Sequence, residues 1–178
     1  MESKVYASDT NTLSVAKKEI VAENMKERVY STITLIAVLA VMWQHPANHS
    51  TLGTIGAIVG AVVALWAATL IAARMSYRAV HGKTISRKNY IRVFFTSSGL
   101  LAPAIIPIVI VLFSGVTGFY SLQTALFASI VVSLLSLFAI SFIAGRRIYT
   151  SLPRLLLVST LEMSVGIGVV LLKLVVGE

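Results

Sequence analysis

The stretch Arg74–Arg92, RMSYRAVHGKTISRKNYIR, carries six of the fifteen Lys and Arg residues and no Asp or Glu. Uncharged apolar runs flank it, Leu52–Ala73 before and Val93–Phe113 after. As helices rising about 1.5 Å per residue, both runs can cross a hydrocarbon core about 30 Å thick. A basic connector between two such spans is held on the cytoplasmic side, which sets the orientation expected for the rest of the chain. Composition agrees: 57% of the 178 residues are hydrophobic and 12% are charged, about half the charge fraction of a soluble domain. The chain therefore reads as all-α, an integral membrane bundle. Its net charge of +8 does not point to nucleic acid, because the charges sit beside the spans, where lipid headgroups are the usual partners. The absence of cysteine excludes disulfides and thiolate metal sites. The polar N-terminus lacks the apolar core of a cleavable signal.

In chain order, residues 1–11 are polar and are expected to be disordered. From Thr12 to Arg28, Leu13, Ala16 and Ile20 recur at helical spacing among charged residues. That pattern reads either as an amphipathic helix on the inner membrane surface or as a solvated lead-in to the first span. Residues 1–28 form a cytoplasmic segment in this reading, and residues 29–178 form the membrane domain. Spans are expected at about 29–44, 52–73, 93–113, 122–144 and 155–176. His45 and His49 have the spacing of a helical metal pair, but Pro46 argues against a helix through them. In the second span Gly56, Gly60 and Ala64 repeat at four-residue intervals, a face on which another helix can approach closely. Pro103 and Pro107, one turn apart in the third span, free backbone carbonyls that need partners. They mark either a broken helix around a binding site or a structural kink. Lys and Arg number five before the first span, six in the second connector and three before the fifth span, against one at its end. That alternation predicts five spans, with the N-terminus inside and the C-terminus outside a cell inner (plasma) membrane.

Glu162 is the only acid within an expected span. It reads either as a proton- or cation-binding site facing the Pro103–Pro107 break, or as a protonated acid bonded to a serine of the fourth span.

Residues 99–177 resemble the vacuolar iron transporter family of ferrous iron and manganese carriers. GLLAPAIIPIVIVL is similar to that family's third span, ALFASIVVSLLSLFAISFIAGRR to its fourth, and LEM at 161–163 with the Gly-containing run after it to its fifth. The resemblance implies the family's fold and a homodimer, and places Glu27 at a ligand position. This chain departs from the pattern in two ways. A short basic connector stands in place of the Glu-rich cytoplasmic insertion, and Leu70 and Arg74 stand where the family has metal-binding Met and Glu. Hard divalent cations need several oxygen ligands, so the departures argue against iron as cargo.

The expected function is that of a divergent carrier of a cation or other small solute, with Glu27, Pro103, Pro107 and Glu162 on its path. The alternative is a non-transporting membrane subunit that binds another membrane protein through the Gly56–Gly60–Ala64 face. No nucleophile–base pair, metal cluster or phosphate loop is visible, so neither an enzyme nor a cofactor is expected. The expected partners are the lipid bilayer, a second copy of the chain or another membrane protein.

Overall fold

The computed structural model describes residues 2–146 and 149–176, those before Glu19 by their backbone alone. It contains helices α1 (Glu2–Gln44), α2 (Thr51–His81), α3 (Arg87–Ser97), α4 (Ile105–Thr117), α5 (Leu122–Gly145) and α6 (Leu152–Val176). Short 3-10 turns occupy Pro46–Asn48 and Ser98–Ala104, and no strand occurs among the described residues.

Glycine and proline explain where the helices stop. Residues 2–44 contain neither, and one helix of 43 residues runs through them. The disorder expected at 1–11 is therefore replaced, over residues 2–11, by helix that runs on through residue 28, since neither Gly nor Pro interrupts the backbone ladder. The side chains of Leu13 and Ala16 lie outside the described residues. Likewise α2 runs past Ala73 to His81 and stops at Gly82, whose left-handed φ of 61° caps it. Most of the basic connector is thus helical, and only residues 82–86 turn. Ser86 then opens α3 by accepting the Asn89 N–H at 3.3 Å.

The expected third span is broken. Seven residues, Ser98–Ala104, form a 3-10 segment that contains Pro103, while Pro107 sits in the first turn of α4, where no N–H is missed. In a 3-10 helix each N–H bonds the carbonyl three residues back. Pro103 has no N–H, which orphans the Leu100 carbonyl, and the buried Ser31 hydroxyl of α1 donates to that carbonyl. One turn below, the Asn24 side-chain amide donates to the Thr96 carbonyl at 3.1 Å. The two helices approach so closely that a Cβ on Gly99 would lie 2.6 Å from Asn24 Nδ2.

α1 runs through the middle of the bundle, against α2, the 3-10 segment, α5 and α6. Leu35, Ile36, Leu39 and Ala40 are wholly buried. Leu35, Leu39 and Ala40 belong to a core that includes Ile58 and Val62 of α2, Val111 of α4, and Ala125, Leu126 and Ile130 of α5. At the far end of α1 the Gln44 amide donates to the Lys173 and Leu174 carbonyls of α6 at 3.2 and 3.0 Å. There, too, Gly115 packs on Thr51. Helices α1 and α6 therefore run in the same direction, and their neighbours alternate.

Among the described residues four helical stretches are long and apolar enough to cross a membrane: α2, Arg87–Thr117, α5 and α6. Their outward faces carry exposed Val59, Val63, Ile105, Phe113, Leu135, Leu157 and Val165. A surface of this kind is covered by lipid rather than by water. The apolar half of α1 is not one of the four. Tyr30, Ser31, Thr32 and Thr34 dilute it, and the two most deeply buried of these, Ser31 and Thr32, are hydrogen-bonded inside the bundle.

Candidate functional site

The bundle has a basic end, where α2 meets α3, α5 meets α6 and the first half of α1 lies. The described Lys and Arg residues from α2 to α6 lie there, except Lys173; Arg147, between α5 and α6, is outside the described residues. At this end a cleft of about 530 Å3 opens between α1, α2 and α3. α1 lines it with Glu19, Ile20, Glu23 and Glu27, α2 with Thr69 and Ala73, and α3 with Arg92, Thr96 and Ser97. Three of the chain's seven acidic residues thus line one cleft in a protein of net charge +8.

The three acids are held differently. Glu19 meets Arg92 at 3.7 Å and Glu23 meets Lys26 at 3.0 Å, both at the exposed rim, where such pairs contribute little. Glu27 is only 6% exposed. Among the described residues its carboxyl has no hydrogen-bond or ion-pair partner. It lies between Asn24 and Ser31 on the face of α1 that meets the 3-10 segment, just before the apolar half of the helix. Burial pushes its pKa above the ordinary carboxylate range; Lys26 pulls it down, and the Glu23 charge pushes it up. The hydroxyls beside it are already committed in part, Thr69 to the Leu65 carbonyl at 3.0 Å and Thr96 to the Arg92 carbonyl at 2.9 Å. Beyond Glu27, α1 continues into the apolar core described above.

The residues singled out in the sequence do not converge. Glu27 lines the cleft. Pro103 lines a separate cavity of about 250 Å3 with Arg28, Thr32 and Ser136, and Pro107 is buried in the bundle. Glu162 faces neither the proline break nor a serine; it is exposed on the outer side of α6. The reason is the face that α6 buries, Leu155, Ser159 and Gly166. The inward serines of α5 are engaged elsewhere: Ser141 with Ser159, Ser129 and Ser133 with carbonyls of their own helix. Gly56, Gly60 and Ala64 do not serve as a packing face within the chain. All three are exposed, and a Cβ on Gly56 or Gly60 would meet nothing within 4 Å. The inward stripe of α2 is instead Thr54, Ile58, Val62 and Leu70.

Thr69, Arg92 and the rim acids were not singled out in the sequence. The signal for the acids was present in the four-residue spacing of Glu19, Glu23 and Glu27, which places them on one side of a helix. No group of three or more His, Cys, Asp or Glu able to hold a metal ion occurs among the described residues.

No protein-family model matches the chain, and neither does any curated protein or solved structure.

Proposed function

We propose that this chain is a five-span membrane carrier of a small solute, with the cleft at Glu27 as its binding site. In this reading α1 is the fifth crossing, central rather than peripheral, which accounts for its lower hydropathy. The positive-inside rule then puts the basic end and the N-terminus in the cytoplasm and the C-terminus outside, in an inner or plasma membrane. The observation that carries the reading is a buried acid with no partner among the described residues, open to a cleft on one side and followed along α1 by packed core. A helix broken at Ser98–Ala104 beside that acid supports it, since irregular backbone in carriers lies at the solute site. The resemblance of residues 99–177 to the vacuolar iron transporter family is part of this proposal and supplies no cargo.

The test is uptake into proteoliposomes, with a panel of divalent metals and a pH-sensitive dye inside. Solute-dependent uptake or proton movement is expected for the wild type and is expected to be lost in Glu27→Gln. Equal traces for the two proteins would refute the site.

A second reading is favoured by one observation, the unpartnered Gly56–Gly60–Ala64 face. Here the chain is a non-transporting subunit whose outer surface binds another membrane protein or a second copy. Glu162, an exposed acid midway along an apolar helix, would find its polar partner in that assembly. Crosslinking through α2 without any solute movement would favour this reading over the first.

A further inference from the structure

We infer that the cleft at Glu27 takes an organic monocation with an apolar body, such as an amine or quaternary ammonium compound, and not a bare metal ion. The inference rests on the reading of this cleft as the solute site. Three features of the cleft lead to it.

The first is ligand number. A hard divalent cation needs about six oxygen ligands. The cleft offers one deeply buried carboxyl, while its other two acids are at the rim and already face Arg92 and Lys26. The second is size. A volume of about 530 Å3 far exceeds a dehydrated ion and falls within the range, on the order of 300–1,000 Å3, of sites for drug-sized molecules. The third is lining. Ile20, Ala22, Ala73 and Val93 form apolar walls, while Glu27 is the one buried acid of the lining. A cation with an apolar body fits both: its body leaves water against the walls, and its charge meets a carboxyl that otherwise lacks a partner. Arg92, the basic group lining the cleft, stands at the mouth with Glu19. α2 contributes only Thr69 and Ala73, so from that helix no charge opposes a cation at Glu27.

One site then serves a proton and a cation in exclusion. The charged groups facing Glu27 are Glu23 and Lys26 of its own helix, with Glu19 and Arg92 at the rim. None of them lies deep enough to replace it.

The experiment is isothermal titration of the full-length protein in lipid nanodiscs with tetraphenylphosphonium, with Mn2+ alone, and with the anion tetraphenylborate. Empty nanodiscs supply the partition background. The expected result is saturable tetraphenylphosphonium binding that weakens as pH falls, is unaffected by Mn2+, and is at least about tenfold weaker in Glu27→Gln. A second variant, Ala73→Leu, narrows the cleft without touching the acid and is expected to weaken binding too. Binding of Mn2+ but not tetraphenylphosphonium, lost in Glu27→Gln, would overturn the solute class while leaving the cleft as the site. Equal tetraphenylphosphonium binding by the wild type and both variants would overturn the inference. Saturable binding of tetraphenylborate at the same strength would also overturn it. Binding of neither ion, with no solute movement in liposomes, would sink the reading of the cleft itself.

Discussion

The two ends of this bundle are built from the same helices but not in the same way. At the far end α1, α2, α4 and α5 meet through Leu39, Ile58, Val111 and Leu126, each buried, and Gln44 ties α1 to α6 through two backbone carbonyls. At the basic end a cleft opens between α1, α2 and α3; Trp66 of α2 packs edge-on against Phe94 of α3, while α1 is tied across by polar contacts, Asn24 to Thr96 and Ser31 to Leu100. Apolar packing makes a seal, whereas polar stitching around a helix break leaves room for a solute and gives a carbonyl-rich segment something to hold. The two acids divide in the same way. Glu27 is buried where the bundle opens, and Glu162 is exposed where the bundle is apolar.

The contrast predicts unequal costs. The largest is expected for Leu39→Ala, which leaves a cavity in the sealed end and should lower stability by about 2–5 kcal/mol, read from unfolding in detergent. A cost below about 1 kcal/mol would mean the far end is not tightly packed. Next comes Ser31→Ala, which leaves the buried Leu100 carbonyl without its donor and should cost about 1–3 kcal/mol. Restoring the hydroxyl with Ser31→Thr should recover part of the loss if the site admits the extra methyl.

The acid in the open end has an effect of sign rather than size. Its folded pKa is raised, so the folded state holds a proton that the unfolded chain has already released. Stability therefore falls as pH rises from about 4.5, the ordinary value, through the raised pKa, and is flat on either side of that window. Glu27→Gln should remove this slope. A wild-type curve that rises through the same window would contradict the buried placement of the carboxyl. The smallest effect is expected for Gly60→Leu. A Cβ at Gly60 meets nothing within 4 Å among the described residues, so the isolated chain should keep its stability, while any assembly that uses this face should dissociate.

Much of this architecture was legible in the residues, and the misread helix faces share one cause. The apolar runs of α2, α5 and α6 and the break at Pro103 follow from composition and backbone chemistry local to each segment. The helix ends at Gly82 and His45 follow from Gly and Pro in the same way. Which face points inward is not local. The small residues of α2 form as regular a stripe as Thr54, Ile58 and Val62, and in a membrane hydrophobicity does not tell the inside from the outside, because lipid is as apolar as a core. Polarity does not decide the face at Glu162 either: the acid is exposed on α6, which buries Leu155, Ser159 and Gly166 instead. Glu27 was visible as a position, but its burial depends on Asn24 and Ser31 meeting Thr96 and Leu100, 72 and 69 residues on.

The central claim, a cleft open at the basic end and sealed at the other, can be tested by thiol labelling, because the chain has no cysteine. Single variants Thr69→Cys, Lys83→Cys, His49→Cys and Val111→Cys would be treated with a membrane-impermeant maleimide from one side of oriented vesicles at a time. The account predicts that Thr69→Cys labels from the same side as Lys83→Cys, that His49→Cys labels only from the other, and that Val111→Cys labels from neither. Labelling of Thr69→Cys from the His49 side alone, or of Lys83→Cys and His49→Cys from the same side, would contradict it.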